Sequence, residues 1–395
     1  MFIQIHTLRS FPPHIPNRDG SGLAKRAFFG GVERQRISYQ CHQHAVKSHA
    51  LIEEMNNKFG ETLRSRMIGD RYIRPILSLA GFTEEENDAW ASAIMSLWNK
   101  KKKKKEEDEG GGEGEDRGNE NERGDESSKQ VMVVGKKEAD ALANIVISLR
   151  GAGIEPGILY GMIESISKGK QLKPLIKKIL PNDTADVDAA ISDVEHAISV
   201  LRNLRANTGF DGALFGRMAT GVAVSTVRRA VRFSDWLTTH AITSVSDFFA
   251  TTDMLKDDED DAGGAHINNR ELGAGLFYQH AVIDVRQLQD NLGVDSVADV
   301  ACWLIDALSK IDPVNGRANS SLVEMGIQIG LEQPRTLMDA FSRPTPPNDA
   351  VAALHAFAES QDRLDGLGSP KVWASRDGVR GVLEFVKSSL SGQAA

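Results

Sequence analysis

The order in which strand and helix patterns follow one another constrains the fold of this chain most. Residues 2–8 alternate apolar and polar side chains with the period of two that a half-buried strand requires. The patterns, in chain order, predict a strand at 2–8, a helix at 40–59, strands at 213–219 and 274–284, an amphipathic helix at 295–310 and a strand at 321–331. This β-α-β-β-α-β order predicts an α+β protein with a ferredoxin-like sheet, as in RRM-like domains. The order alone does not establish RNA binding, because the same fold has many functions.

Two insertions separate these elements, one over 61–206 and one over 235–272. The first is helical, with helices predicted at 136–153 and at 183–204, the latter capped by Asp183 or Thr184. Within it, residues 99–130 consist of six lysines followed by Glu, Asp and Gly with scattered Arg. This composition cannot bury enough apolar surface to offset the loss of chain entropy, and it predicts a disordered insertion.

Charge is unevenly distributed along the chain. Two acidic segments account for the formal net charge of −8: residues 100–126 hold eight Lys or Arg against eleven Asp or Glu, and residues 253–261 hold one against six. Residues 1–50 hold seven Lys or Arg against two acidic residues. A local basic patch is the electrostatic footprint of nucleic-acid binding, although a solvated basic surface has the same composition.

The most informative motif block lies inside that basic region. It contains Asn17-Arg18, Lys25, Phe29-Gly30-Gly31 and the run Arg34-Gln35-Arg36-Ile37-Ser38-Tyr39-Gln40. Glycines permit a flexed loop, and arginine side chains grip phosphate groups through paired donors. Ser38 and Gln40 can reach ribose hydroxyls, and the N-terminus of the following helix favours anions. The block therefore predicts a phosphate-binding loop that leads into a helix.

This block resembles the CasC-like backbone subunit of the type I-E CRISPR Cascade complex, a family of the RAMP superfamily. Further matches are GRMATG at 216–221, TTH at 238–240, DFF at 247–249, GAH at 264–266, GLFYQHA at 275–281 and LQDNLG at 288–293. Each motif is short, but their order and spacing together are specific. The resemblance extends from residue 1 to about residue 341, outside the low-complexity tract.

The resemblance implies a right-hand architecture and a non-catalytic role. The palm would comprise 1–60, 207–234 and 273–345, the helical fingers 61–206 with the disordered insertion 99–130, and the thumb 235–272, with C-terminal helices at 346–395 packing on the palm. Copies of the chain would stack head-to-tail along a guide RNA (crRNA). The implied partners are the guide RNA, target DNA through the guide, other copies of the chain and other Cascade subunits.

The same resemblance implies which residues contact RNA. They are Asn17, Arg18, Lys25, Arg34, Arg36, Ser38, Gln40, His44, Lys47, Arg217, Met218, Phe249 and His266. Met218 would lie under a kinked base, and Phe249 would be the wedge of the thumb. The aromatic pattern with which RRM domains stack bases is absent, which favours binding through the RNA backbone and shape.

Two other function classes stay open. An endoribonuclease of the same superfamily could use His42 and His44, or His6, as acid and base. No third group is evident beside them, and the family's guide RNA is processed by another subunit, so we expect no catalytic residues. An RNA-free scaffold is the second alternative.

The sequence predicts no metal and no cofactor. His42-x-His44 lacks a third ligand, and the acidic run 257–261 lacks the spacing of a calcium loop. The Gly-x-Gly pairs at 151–153 and 273–275 lack the context of a dinucleotide site.

The sequence also indicates a cytoplasmic protein. The first residues do not form a signal peptide, no apolar run is long enough to span a membrane, and the two cysteines form no CxxC pair. We therefore expect no membrane partner.

Overall fold

The computed structural model describes residues 1–15, 17–98, 131–151, 153–167, 208–218, 226–251, 266–314, 318–365 and 371–391. They form two compact units. The first contains Met1–Glu54, Ala230–Gln289 and Val294–Ala395, and the second contains Met55–Arg229 and Asp290–Gly293. The tract at 99–130, the predicted helix at 183–204 and the acidic run at 257–261 lie outside the described residues.

The elements are numbered in chain order. The strands are β1 (Phe2–His14), β2 (Arg26–Phe29), β3 (Val32–Ile37), β4 (Thr62–Ser65), β5 (Met132–Gly135), β6 (Val231–Phe233), β7 (Trp236–Thr238), β8 (Ser244–Thr251), β9 (His266–Asp284), β10 (Ser321–Gly330) and β11 (Lys371–Trp373). The α-helices are α1 (Tyr39–Ser48), α2 (Ile52–Phe59), α3 (Arg74–Leu79), α4 (Glu84–Ser96), α5 (Lys136–Gly151), α6 (Leu159–Ser167), α7 (Gly209–Phe215), α8 (Val285–Leu292), α9 (Ala298–Lys310), α10 (Ala350–Asp365) and α11 (Ala374–Ser391). None of the helices in the described ranges is both long and apolar enough to cross a membrane.

The first unit is built on one antiparallel sheet. Its strand order is β11-β10-β1-β9-β7-β3-β2, and β6 and β8 also pair with β9. Ile5 of β1 lies opposite Ile327 of β10 on one side and Ala281 of β9 on the other. With α1 after β1 and α9 between β9 and β10, the arrangement is that of a ferredoxin-like sheet. The predicted fold class is confirmed.

The prediction of a strand at 213–219 is wrong. Residues 209–215 form α7, all seven of which are buried, and positive φ angles at Gly209 and Gly216 bracket the helix. A short apolar run has the same composition whether it is a buried strand or a buried helix. The second strand of the sheet is instead supplied by β6 and β7, which both pair with β9.

The predicted helix at 40–59 is divided into α1 and α2. His49 adopts an extended backbone conformation after α1, and its ring nitrogen Nδ1 accepts a hydrogen bond from the Leu51 amide at 3.2 Å. A side chain that takes up a backbone amide in this way competes with the helical hydrogen bonds.

One face of the sheet packs against α1 and α9. Phe11 of β1 and Phe277 of β9 share a core with Ile37 and Trp236, and Cys41 of α1 packs on it. The guanidinium of buried Arg9 donates to carbonyl oxygens in the last turn of α9, at 2.7 and 3.1 Å. A cation at a helix C-terminus complements the helix dipole.

The opposite face is covered by the C-terminal part of the chain. Leu8 and Tyr278 pack against Phe341 and against Leu354 of α10. The Tyr278 hydroxyl accepts a hydrogen bond from the Leu337 amide at 2.9 Å. The sheet surface that RRM domains leave open for RNA is therefore occupied by the protein itself.

In the described part of the predicted thumb, β8 and the beginning of β9 form an antiparallel pair, which we call the β8–β9 hairpin. The first part of the predicted thumb, β7, belongs to the sheet, whereas β8 pairs with the beginning of β9 from Ser244 opposite Gly273 to Thr251 opposite His266. The hairpin extends the longest strand of the sheet, which runs from residue 266 to residue 284.

The described residues of the second unit are mainly helical and include the antiparallel pair β4–β5. Its core joins α4, α5 and α6 through residues such as Trp90, Leu142 and Met162. Helix α4 begins with a capping box between Thr83 and Glu86.

Candidate nucleic-acid interface

The loop that follows β1 is fixed to the start of α1 by Asn17 and Ser38. The Asn17 side-chain oxygen accepts hydrogen bonds from the Ser38 amide at 3.1 Å and from the Ser38 hydroxyl at 2.9 Å. The Asn17 carbonyl accepts from the Lys25 amide, and the Lys25 carbonyl accepts from the Arg36 amide. Ser38 is buried. Both side chains therefore shape the loop, and the structure does not support the predicted contact of the Ser38 hydroxyl with RNA.

Arg36 and the helix N-terminus share one carboxylate. Arg36 Nε donates to Asp235 Oδ2 at 2.6 Å, and the Tyr39 amide donates to Asp235 Oδ1 at 2.8 Å. The carboxylate already complements the positive end of α1. Asp235 thus occupies the helix end that was expected to attract phosphate, and Arg36 is ion-paired but partly exposed, so its contact with RNA stays a prediction.

Arg34 is not available to RNA. Its guanidinium is buried and donates to the carbonyl oxygens of Phe29, Thr238 and Phe341 at 3.2, 3.0 and 2.8 Å. The adjacent Gly30 has a φ of +63°, and a Cβ there would lie 1.8 Å from the Ser342 carbonyl oxygen. Arg34 and Gly30 thus hold the β2–β3 hairpin against the following segments, which corrects the prediction of an RNA contact.

The remaining predicted residues of this region form one exposed surface. Gln40, His44 and Lys47 are spaced so that they lie on one face of α1. Arg18 follows Asn17, and Lys25 is bonded through its backbone to both Asn17 and Arg36. Arg18, Gln40 and His44 are exposed, and Lys25 and Lys47 are partly exposed. We call these five residues the loop–helix surface.

Nearby acidic residues neutralise one cation of the loop and leave two. Arg26 is paired with Glu33 at 3.1 Å and with Glu271 at 2.8 Å. Glu271 also accepts a hydrogen bond from the Ala24 amide at 2.7 Å and so holds the loop against β9. Within the described ranges, Arg18 and Lys25 enter no ion pair. They are the loop cations available for a phosphate.

The β8–β9 hairpin carries two aromatic residues with different environments. The Phe249 ring is covered by the Arg270 guanidinium, 3.9 Å from its centroid, whereas Phe248 is 63% exposed. His266 begins β9, and its side chain lies outside the described structure.

Arg217 and Met218 belong to the second unit and differ sharply in their exposure to solvent. Arg217 is buried and forms a two-pronged ion pair with Glu138, at 2.6 and 2.9 Å. Its predicted role in RNA contact is therefore wrong. Met218 is 89% exposed and is free to meet a ligand.

The histidines considered for acid–base chemistry do not form an accessible pair. His42 is buried against the Phe233 ring at 4.7 Å, and burial lowers its pKa to about 3. His6 is buried 2.9 Å from the Tyr278 hydroxyl, and burial and neighbouring His280 lower its pKa. His44 is exposed. Two of the three rings are thus neutral at pH 7 and withdrawn from solvent.

Sequence reasoning did not identify Asp235, Glu271 or Glu138, the carboxylates that organise these sites. Asp235 lies 199 residues from its partner Arg36, and Glu271 lies 245 residues from Arg26. Partners so far apart in the chain produce no local sequence pattern from which the ion pair could be predicted. The only signal was that Asp235 opens the apolar run of β7.

These features define a class, an α+β protein with a ferredoxin-like sheet, a helical insertion after its first helix and a β-hairpin extension. The chain belongs to the family described as CT1975-like protein, whose family model matches residues 3–380. The predicted family resemblance is confirmed. None of the curated proteins matches the chain.

Two solved structures share the fold. One, described as "CRISPR RNA-guided surveillance complex, pre-nicking", is 19% identical, with a TM-score of 0.68 over 99% of this chain and 100% of that chain. Another, described as "CRISPR RNA-guided surveillance complex", is 18% identical, with a TM-score of 0.61 over the same shares of both chains.

Proposed function

We propose that this chain is a component of a CRISPR RNA-guided surveillance complex and binds the guide RNA on the loop–helix surface without cleaving it. Family membership and the fold shared with subunits of such complexes support the setting. In this setting the chain works in the cytoplasm beside other subunits.

The proposal rests on the division of the motif block into residues bonded within the protein and residues whose side chains are exposed or partly exposed. Asn17, Arg34, Arg36 and Ser38 are engaged within the protein, whereas the loop–helix surface presents cations and uncharged donors. Such groups bind phosphate and ribose and do not distinguish bases. A subunit that carries guides of many sequences must bind RNA independently of its base sequence, because specificity comes from base pairing with the target.

The covered sheet supports the same mode of binding. RRM domains read bases on aromatic residues of the open sheet, and here that face packs against Phe341 and α10. RNA bound at the loop and α1 keeps its base edges directed away from the sheet. Those edges are then available to pair with target DNA.

We further propose that several copies of the chain bind one guide, head to tail. Backbone contacts that do not depend on sequence can be repeated along an RNA at any register. A second candidate function, cleavage of RNA by histidines, has weaker support because burial keeps His42 and His6 neutral.

The test is replacement of the two loop cations together, Arg18→Ala with Lys25→Ala. Binding of several unrelated single-stranded RNAs, measured by fluorescence anisotropy, should weaken to the same extent. The slope of log K against log salt should fall by about 1.4, because each phosphate contact on a single strand contributes roughly 0.7.

The matched control is Arg376→Ala with Arg380→Ala, which removes the same charge from exposed positions of α11. It should leave affinity and slope nearly unchanged. A loss confined to one RNA sequence, or an equal loss in the control, contradicts the proposal. Cleavage of the RNA that disappears in His44→Ala would favour the nuclease instead.

A further inference from the structure

Met218 stands at the point where a buried segment reaches the surface. The seven residues of α7 before it are buried, and Arg217 has a side chain only 3% exposed, whereas Met218 is 89% exposed. A methionine side chain is flexible and adapts to irregular surfaces. A flexible side chain contacts a ligand reproducibly only when its backbone is fixed.

The fixing element is the ion pair between Arg217 and Glu138 of α5. Arg217 Nη1 donates to Glu138 Oε2 at 2.6 Å and Nη2 donates to Oε1 at 2.9 Å, and the Glu138 side chain is 1% exposed. Arg217 Nη1 also donates to the Val133 carbonyl at 3.1 Å, and Glu138 accepts from the Gly135 amide. A two-pronged pair of this kind sets direction as well as distance.

Three backbone features reinforce the position. Arg217 and Val227 exchange both backbone hydrogen bonds, at 2.8 and 2.9 Å. Gly216 has a φ of +73°, and a Cβ there would lie 2.7 Å from the Val227 carbonyl oxygen. Buried Asn291 donates to the carbonyl oxygens of Ala213 and Arg228. The backbone on the N-terminal side of Met218 is therefore held by several independent bonds.

We infer that Glu138 and Arg217 are positioning residues, which fix the direction in which Met218 is presented to a base of the bound RNA. The ligand in this inference rests on the proposed function. The positioning itself is a property of the RNA-free protein and can be tested separately.

The chemistry of buried ion pairs provides a clean way to test the role. Removing one partner leaves an uncompensated buried charge and destabilises a protein, whereas replacing both by apolar residues of similar volume is often neutral. The double variant Glu138→Leu with Arg217→Met therefore removes the directional bonds without leaving a buried charge. Glu138→Gln, which keeps the shape of the side chain, serves as a second variant.

The first measurement is the mobility of position 218 without RNA. Cys41 and Cys302, the two cysteines of the chain, are replaced by Ser, and Met218→Cys carries a nitroxide label. The double variant should shorten the label's rotational correlation time at least about twofold, while the melting temperature changes by less than about 5 °C. Tyr72→Phe is the control, because it removes a 2.7 Å bond to Asp140 of the same helix and should leave the label unchanged.

The second measurement is coupling to Met218 in RNA binding. The double variant and Met218→Ala should each weaken binding of unstructured RNA several-fold. Combined, they should weaken it no further, since residues that act through one another give non-additive effects.

The outcomes separate the two proposals. Unchanged label mobility in both the double variant and Glu138→Gln overturns the positioning role, whether or not RNA binds. Additive losses in RNA affinity overturn it as well. If the unmodified chain binds no RNA while the label is mobilised, the positioning role holds and the proposed function fails.

Discussion

At the residue scale, His6, His42 and His280 are interior groups whose charge state is set by burial. Burial lowers the pKa of His42 to about 3 and that of His280 to about 4, and it also lowers the pKa of His6. The rings of His6 and His280 stack at 4.8 Å. Protonation of either ring would place a charge in the interior of the first unit.

The pH dependence of stability follows from these pKa values. In the unfolded chain a histidine has a pKa near 6.5, so below that value the unfolded state binds more protons than the folded state. Burial lowers the pKa of His14 as well, and each of these four histidines should then cost about 1.4 kcal/mol of stability per pH unit, from pH 6.5 down toward its folded pKa. Stability should therefore fall between pH 7.5 and 5.5.

Thermal unfolding at the two pH values measures this effect. His280→Gln should reduce the drop by about one quarter, because it removes one of the four described histidines whose pKa burial lowers, His6, His14, His42 and His280. His44→Gln is the control, since it makes the same substitution at an exposed position of α1. A melting temperature that is constant over this pH range would contradict the neutral interior histidines.

The arginines show why chemistry alone could not assign the site residues. Arg18, Arg34, Arg36 and Arg217 were all predicted to contact RNA, and within the described ranges only Arg18 among them has no partner for its side chain. Two of the three partners of Arg34 lie 204 and 307 residues away, and the carboxylate partner of Arg217 lies 79 residues away. Local sequence predicts a guanidinium but not the carbonyl or carboxylate that it meets.

At the scale of elements, long periodic patterns were predicted correctly and short ones were not. Strand β10 and helix α9 lie within about three residues of the predicted bounds, because their apolar stripes extend over ten or more residues. The seven-residue α7 was mistaken for a strand, and the His49 side chain interrupts the predicted helix at 40–59. The first depends on tertiary packing around α7, and the second depends on one hydrogen bond of the His49 side chain.

The β8–β9 hairpin shifts the expected aromatic contact from Phe249 to Phe248. Neighbouring residues of a strand point to opposite faces. In the pairing of β8 with β9, Phe248 lies on the same face as Glu271, which holds the loop that carries Lys25. Phe249 faces the other way, under Arg270.

Alanine replacement of each phenylalanine tests the hairpin. Phe248→Ala should weaken RNA binding by about 1–3 kcal/mol, the usual contribution of one stacked base. It should also reduce the chemical reactivity of the base that the aromatic wedge displaces. Phe249→Ala should alter these readouts less. Base-by-base chemical probing of the bound RNA checks the result. If only Phe249→Ala changes these readouts, the wedge is Phe249, as the sequence predicts.

At the scale of the whole molecule, the chain is one sheet unit interrupted by a helical unit. The β-α-β-β-α-β order predicted the sheet because β1, β9 and β10 are long, whereas its second strand is supplied by the three-residue strands β6 and β7 instead of the predicted segment. Residues 208–229 belong to the second unit, whereas we had expected a palm strand there. The predicted palm boundary was wrong there because α7 was assigned as a strand.

We expect the charged tract at 100–129 to be dispensable for the stability of the second unit. Trp98 before it and Met132 after it are buried in one core of the second unit. The chain thus leaves and re-enters a single packed region, so a shorter linker can join the two ends.

Replacing the tract by an eight-residue Gly/Ser linker shortens a closed loop, and loop-closure entropy then favours the folded state by about 1 kcal/mol. The melting temperature should stay constant or rise by up to about 4 °C, with RNA affinity unchanged. A fall of more than about 5 °C would show that the tract packs against the protein.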